Sequence, residues 1–338
     1  MNNGSEARNH HWVPQCYLKD FAKSRSKKAK LYVIDAIERK AFQTTPRNVA
    51  AARDFNRIDI PELSPNLIEN GLSSFEGQVD KALERICVQR EFSNTDDRIL
   101  VFNLIALLAV RNPRRRESLR QFHEDISKKL MGFTLSTKER YESSLASAKK
   151  AGALSAGDDV TYEEARDFVA REKLKVDVPT TRHVALEMQS VDTVLPLLLG
   201  RKWVLLIAPT NSGGFVTTDH PVVLQWIDAK DKGAFYPPGF GLRGTEVIFP
   251  LSHDLALSGT FEGRDAVIEV TTEIVAATNG IVIAHGHRQV YALDDKFRYM
   301  ITHGILRHGS DVLADLAKYR DQHKIRDTLG TGSPPSRG

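Results

Sequence analysis

The sequence has only two cysteines among its 338 residues, Cys16 and Cys87, and neither belongs to a CxxC pair. Both stand in apolar patterns of helical spacing, far apart along the chain. This placement is typical of small buried residues in a reducing compartment. We therefore expect neither a disulfide framework nor a cysteine-based zinc site.

Long apolar runs are also missing. The longest candidates, Ile99 to Val110 and Val194 to Leu199, are shorter than the roughly 18–20 residues that a helix needs to span a bilayer. The polar start, residues 1–8, lacks the features of a signal peptide. We predict a soluble cytoplasmic protein without membrane association.

The motifs of several common enzyme classes are absent: the Walker phosphate loop, GxGxxG, HExxH and GxSxG. Their absence argues against nucleotide kinases, dinucleotide oxidoreductases, zincins and α/β-hydrolases in their usual forms, and no nucleotide cofactor is predicted. The chain carries 47 Lys and Arg against 43 Asp and Glu, a net charge of +4. So small an excess permits a nucleic-acid partner without requiring one.

The composition, 41% hydrophobic and 27% charged, is that of an ordinary globular protein. Helical spacing of apolar residues dominates residues 1–200, apart from a small β-hairpin near 31–44, and strand-length apolar runs dominate from Arg201 onward. We predict the α+β class, with a predominantly helical N-terminal two-thirds packed on a small mixed or antiparallel β-sheet from the C-terminal third. The predicted regions are a helical region at 1–200, a sheet region at 201–323 and a flexible tail at 324–338.

Two adjacent histidines, His10 and His11, stand just before Pro14 and an apolar pattern of helical spacing. Proline suits the first turn of a helix, and the positive end of a helix dipole favours the neutral imidazole. A neutral imidazole can bind a metal or accept a proton. The alternative is structural, with both rings bonded only to the backbone.

Three carboxylates are candidate ligands. Glu69 and Glu76 lie seven residues apart in a predicted helix and therefore project from one side of it. Asp219 lies between two strand-like runs, in a turn where functional side chains are common. Carboxylates with imidazoles suit Mg²⁺ or Mn²⁺. The alternatives are a solvated helix face for the glutamates and an Asx-turn for Asp219.

Arg111 follows the most apolar predicted helix, residues 99–110, and opens a basic cluster that continues at 114–116. Pro113 disfavours helical geometry in the residue before it, so the helix is expected to end there. At that end Arg111 either faces a phosphate or carboxylate, or neutralises the negative end of the helix dipole.

The opening pattern His-His-aromatic-Val-Pro-Gln-x-Tyr-Leu-x-x-Phe, residues 10–21, resembles the signature of a bacterial family catalogued as domain of unknown function 4238. His220 is not required by the family pattern, and Thr218 stands where the family usually has serine. The resemblance implies that the histidines, the glutamates and Asp219 meet in one polar centre. Later segments fit the same family in order: Asp54-Phe55, Glu69, Glu76, Arg111-Asn112-Pro113, Trp203, Thr217 to Pro221, Phe249 to Leu251 and Asn279.

These observations lead to an expected function, a hydrolase of the metal-dependent phosphodiesterase or nuclease class that acts as a bacterial defence or toxin-like effector. Expected partners are a nucleic acid, a protein or a second copy of the chain. One alternative is a non-catalytic binding or regulatory module, and another is a metal-free transferase or RNase. The expected catalytic residues are His10, His11, Arg111 and Asp219, and the expected ligands of a divalent Mg or Mn ion are His11, Glu69, Glu76 and Asp219.

Overall fold

The computed structural model describes residues 8–26, 28–155, 157, 160–171, 176–228, 237–301 and 304–316. Helices and strands are interleaved within these ranges, with a succession of helices over residues 67–199. Their order is β1 (Asn9–His11), α1 (Gln15–Leu18), β2 (Leu31–Asp35), β3 (Lys40–Thr44), β4 (Ala51–Arg53), α2 (Leu67–Gln89), α3 (Thr95–Val110), α4 (Pro113–Thr134), α5 (Lys138–Lys150), α6 (Tyr162–Arg171), α7 (Thr180–Leu199), β5 (Lys202–Ile207), β6 (Thr217–Thr218), β7 (Val223–Trp226), β8 (Thr245–Pro250), β9 (Leu255–Thr260), β10 (Ala266–Glu269), α8 (Thr272–His285), β11 (Gln289–Ala292), β12 (Arg298–Met300) and β13 (Leu306–His308).

The opening segment packs as its apolar pattern predicts. Pro14 stands directly before the first residue of α1, and the chain continues as a 3-10 turn over Lys19–Phe21. Tyr17 is completely buried, and its hydroxyl bonds Thr217 Oγ1 and the Pro250 carbonyl oxygen, each at 2.7 Å. A buried phenol needs such partners, so Tyr17 ties α1 to β6 and β8.

Helix α3 is buried on nearly all sides, as its continuous apolar run predicts. It begins at a cap in which the Asn94 side chain accepts a hydrogen bond from the Asp97 backbone N–H at 2.7 Å. It ends at Val110, and Arg111 leaves the helix in extended geometry before α4 begins at Pro113. The predicted break at this proline is confirmed.

Two sheets of the described chain carry most of the strands. One has the strand order β10-β5-β9-β8-β7, and in it only the β10–β5 pairing is parallel. The other has the order β3-β2-β11-β6, all antiparallel. It therefore joins strands from near both ends of the chain.

The predicted fold class, a helical N-terminal two-thirds packed on a C-terminal sheet, is wrong. Helices and strands are interleaved through the described chain: β1 to β4 precede the long helices, and α8 lies among the late strands. The predicted hairpin of β2 and β3 exists, but β2 also pairs with β11. An isolated two-stranded hairpin is marginally stable, and a local pattern does not reveal the distant strand that completes it.

Among the described residues, those up to Asn112 and those from Val184 onward form one compact unit, and those within Pro113–His183 form a second. In the second unit, the hydroxyl of Tyr162 donates to the Leu135 carbonyl oxygen at 3.0 Å, and that of Tyr141 donates to the Val160 carbonyl oxygen at 2.7 Å. The predicted boundary near residue 200 stays a prediction, and the predicted tail at 324–338 lies outside the described residues.

The length and polarity of the helices bear on membrane association. Within the described ranges, no helix combines the length and the apolar character that crossing a bilayer requires. This agrees with the short apolar runs of the sequence.

Candidate functional site

His10 lies on β1, which pairs with β4 so that His10 is opposite Ala52. The chain turns after β4 at Asp54, whose φ is 58°, and returns to β1. The His10 side chain is completely buried, and its Nδ1 accepts a hydrogen bond from the Asn56 backbone N–H at 2.9 Å. Because Nδ1 is an acceptor, the neutral ring carries its proton on Nε2.

His11 is the next residue of β1 and is 9% exposed. Its Nε2 lies 3.1 Å from the Arg47 carbonyl oxygen, which can only accept, so Nε2 carries the proton. Nδ1 is then the basic nitrogen, and it lies 3.5 Å from the Gln15 amide nitrogen. Burial lowers the pKa of His11, although the Arg47 carbonyl and the Glu69 charge oppose this shift. The ring is therefore neutral at pH 7.

Arg111 connects the end of α3 to both the opening strand and the turn after β4. Its side chain is 2% exposed, its Nη2 donates to the His11 carbonyl oxygen at 2.6 Å, and its Nε donates to Asn56 Oδ1 at 3.3 Å. The guanidinium also lies 5.8 Å from the centre of the Phe55 ring. Arg111 thus fixes the backbone of His11 through the hydrogen bond to its carbonyl oxygen.

Glu69 and Glu76 lie on α2, and both are half-buried. Burial raises the pKa of Glu76 to about 7; the Glu69 charge acts in the same direction and the Arg111 charge opposes it. A carboxyl in a desolvated place beside a second carboxylate is expected to hold its proton in this way. Glu76 is therefore partly protonated at neutral pH.

These residues form one electrostatically coupled group, which we call the polar cluster. Asn56 is its centre, because it bonds three of the other members, through its backbone N–H to His10, through Nδ2 to Glu69 Oε2 at 2.7 Å and through Oδ1 to Arg111. Sequence reasoning missed Asn56, although it directly follows the Asp54-Phe55 segment of the family pattern. The polar cluster consists of His10, His11, Asn56, Glu69, Glu76 and Arg111.

Asp219 has a different environment. Its carboxylate accepts hydrogen bonds from the backbone N–H groups of His287, at 3.0 Å, and of Arg288, at 3.0 and 3.2 Å. Its own carbonyl oxygen accepts a hydrogen bond at 3.3 Å from Nε1 of Trp12, the residue directly after β1. Burial raises the pKa of Asp219, and the hydrogen bonds from this turn oppose the shift. The carboxylate thus stabilises the turn between α8 and β11.

The predicted metal ligands were His11, Glu69, Glu76 and Asp219. Across the part of the chain that the structure describes, no three His, Cys, Asp or Glu side chains are arranged as a metal site. Of the predicted set, His11 and the two glutamates share the polar cluster, whereas the Asp219 carboxylate bonds the turn at 287–288. The metal site stays a prediction.

The chain belongs to the family described as Protein of unknown function (DUF4238), whose model matches residues 9–296. The predicted family membership is thereby confirmed. The match includes the whole polar cluster, Asp219 and the strands up to β11. No curated protein and no solved structure matches the chain.

Replacement of Asp219 by alanine is expected to lower the free energy of unfolding by about 1–3 kcal/mol, because the backbone N–H groups of His287 and Arg288 lose their acceptor. Asp219→Asn keeps an oxygen acceptor and should lose about 1 kcal/mol or less. Urea unfolding followed by circular dichroism measures both changes. A wild-type unfolding midpoint for Asp219→Ala would contradict the stabilising role of this carboxylate.

Proposed function

We propose that the protein is a hydrolase of phosphodiester bonds in which Glu76 and His11 form an acid–base pair. The observation that supports this proposal is the half-buried carboxyl of Glu76, whose pKa is raised to about 7 by burial beside Glu69. It is coupled to Arg111, which also holds the neutral His11. Groups with a pKa near the working pH are the most effective general acids and bases.

The two side chains have complementary roles. Slightly below pH 7, His11 Nδ1 takes a proton from a water molecule whose oxygen attacks phosphorus. The ester P–O bond breaks, and protonated Glu76 gives its proton to the leaving oxygen. Transfer of a proton from His11 to Glu76 through water then restores both groups.

Two arginines support this reaction in different ways. Arg111 is buried, so it contributes positive potential and the position of His11 rather than a direct contact with substrate. The side chain of Arg47 is exposed, and the carbonyl oxygen of the same residue holds His11. In this proposal Arg47 contacts the substrate phosphate, which suits a nucleic acid as partner.

In the metal-dependent variant of this proposal, the carboxylates of Glu69 and Glu76 and Nδ1 of His11 would have to move together to hold a divalent ion, Mg or Mn, because the structure does not arrange them as a metal site. Two carboxylates and one imidazole in one coupled group are chemically suited to such an ion. When bound, the ion would supply Lewis-acid stabilisation of charge at phosphorus. The acid–base scheme does not require it, so cleavage that persists in EDTA supports the scheme, and cleavage abolished by EDTA supports the metal-dependent variant.

A second candidate function, a non-catalytic binding module, is favoured by a specific observation. His10 is completely buried and bonded to Asn56, which in turn bonds Glu69 and Arg111. In this second candidate function, the sole role of the network is to hold β1 against α2 and α3. In that case, substitutions in the cluster change stability and no cleavage is measured.

The acid–base scheme predicts a bell-shaped dependence of kcat/KM on pH. Activity should fall above about pH 7, as Glu76 loses its proton, and should fall again at lower pH, as His11, whose pKa is lowered by burial, gains one. Cleavage of labelled RNA, labelled DNA and bis(p-nitrophenyl) phosphate between about pH 4.5 and 9 measures the profile. Cleavage that does not change with pH would contradict the scheme.

The matched control for this profile is Glu84→Gln. Glu84 lies on the same helix, α2, and is exposed. This variant should keep the wild-type profile, whereas Glu76→Gln should lose the limb above pH 7 with most of the activity. Equal profiles for the two variants would assign the limb to another group.

The biological setting is also part of the proposal. We propose that the enzyme acts in the bacterial cytoplasm as a defence or toxin-like effector. Both cysteines are free thiols in the structure, which suits a reducing compartment. Expression of the wild-type chain should then arrest bacterial growth, and expression of Glu76→Gln should not. Equal growth with both would contradict this role.

A further inference from the structure

Helix α4 carries a row of large apolar side chains on one face: Phe122, Ile126, Leu130 and Phe133. Their spacings of four, four and three residues place them above one another along the helix. They are 58%, 40%, 61% and 64% exposed. We call this row the α4 stripe.

The opposite face of α4 is charged and internally paired. Arg120 bonds Glu117 and Glu124, each at 2.7 Å, and Lys128 bonds Glu124 at 2.5 Å. A helix with one face of ion-paired side chains and one apolar face is amphipathic, and such a helix normally buries its apolar face against another surface. The stripe is therefore not part of a uniformly polar surface.

The size of the α4 stripe fits a dimer interface. Four large side chains at these exposures present roughly 400 Å² of apolar surface. A standard interface buries about 800 Å² per partner, of which about 60% is apolar. The stripe thus supplies most of the apolar surface that one partner of a stable dimer needs.

The charges beside the stripe are self-complementary. Asp125 and Lys129 lie along the same edge of the α4 stripe, one turn apart, and neither forms an ion pair within the residues that the structure describes. When two copies of a helix pack antiparallel about a two-fold axis, identical edges face each other in opposite directions. With the axis near Ile126, Asp125 of each copy comes within one helical turn of Lys129 of the other, and Phe122 lies opposite Leu130.

We propose that α4 pairs with α4 of a second copy of this chain, antiparallel and about a two-fold axis, through the α4 stripe. The two copies bury the four apolar side chains of each stripe between them. Two ion pairs, Asp125 with Lys129 and Lys129 with Asp125, close one side of the interface. The contact lies within the second compact unit and does not involve the polar cluster.

Sedimentation equilibrium of the full-length chain, at about 1–100 µM, tests the proposal. The wild type should show twice the mass of the chain, and Leu130→Glu should raise the dimer dissociation constant at least about 100-fold, because it places a charge in each half of the apolar interface. The matched control is Val88→Glu on α2, which makes the same kind of change at a side chain that is 79% exposed. This control should dimerise like the wild type.

Exchanging the charges at positions 125 and 129 distinguishes the antiparallel dimer from other interactions of the α4 stripe. Asp125→Lys should weaken the dimer about tenfold, and the double variant Asp125→Lys, Lys129→Asp should restore it. A chain that is monomeric over the whole concentration range overturns the proposal, and the stripe then belongs to another protein or to the chain itself. A dimer unaffected by Leu130→Glu, or a double variant without rescue, overturns it as well.

Discussion

Replacement of Glu76 by glutamine will raise the free energy of unfolding at about pH 8 by roughly 1–3 kcal/mol. Under the proposed acid–base scheme, it will also lower the rate of phosphodiester cleavage at least about 100-fold. Burial moves the pKa of this carboxyl from 4.5 to about 7 in the folded protein. The folded state therefore holds the proton more tightly than the unfolded state. The stabilising effect of protonation is complete below about pH 4.5 and is lost as the pH rises through about 7. Glutamine has the same shape and never acquires the charge.

Urea unfolding of the wild type and of Glu76→Gln at about pH 5 and pH 8 measures this effect. The two proteins should differ little at the lower pH and most at the higher one. Glu84→Gln on the same helix is the control and should leave stability unchanged at both values, because Glu84 is exposed. A wild-type stability that is level from pH 5 to 8, or a less stable Glu76→Gln at pH 8, would contradict the burial of a charged Glu76.

The combination of outcomes separates the two candidate functions. A residue kept for activity at the expense of stability gives a more stable and inactive variant. A residue kept for a structural network gives a less stable variant, because glutamine replaces one of the two acceptor oxygens of the carboxylate with an N–H donor. The stability part of this test does not depend on knowing the substrate.

Replacement of Gly280 by alanine is expected to lower the free energy of unfolding by about 3 kcal/mol or more. Gly280 lies in α8, where the helix packs against β12. A Cβ atom at this position would lie 1.8 Å from the Met300 carbonyl oxygen and 2.9 Å from the carbonyl carbon. Both are backbone atoms, so relief requires the strand and helix to separate. The neighbouring Asn279 Nδ2 donates to the Arg298 carbonyl oxygen at 2.8 Å and would be displaced with them.

Gly71→Ala in α2 is the matched control, because it is also a glycine inside a helix and nothing lies within 4 Å of the added Cβ. This variant should gain about 0.5–1 kcal/mol, since alanine loses less backbone entropy on folding. Guanidinium unfolding of both variants compares the two contexts. A Gly280→Ala protein as stable as the wild type would mean that α8 and β12 are farther apart than the structure places them.

Much of the local structure was predictable because the interactions that specify it lie within a few residues of one another. Pro14 and the apolar spacing after it predicted α1, and the continuous apolar run before Arg111 predicted the buried helix α3. The family pattern predicted membership in a family whose model covers residues 9–296. The fold class was wrong, because the β2–β11 pairing joins segments whose separate patterns carry no information about each other.

For the candidate site, too, some features could be predicted from the sequence and others could not. A spacing of seven residues was enough to place Glu69 and Glu76 on one side of α2, because the helical period is a local property. The raised pKa of Glu76, the proton on Nε2 of His11 and the place of Asn56 between His10 and Arg111 depend on atoms brought together from β1, α2, α3 and the turn after β4.

By itself, the sequence determined which residue types are available and which helix faces carry them. Only the tertiary structure decided which of these side chains are desolvated and which lie close to another charged group. It separated the carboxylate of Asp219, which stabilises a turn, from that of Glu76, which lies partly protonated beside an arginine. The physical reason is that desolvation and charge coupling are properties of three-dimensional neighbours, whereas periodicity is a property of neighbours along the chain.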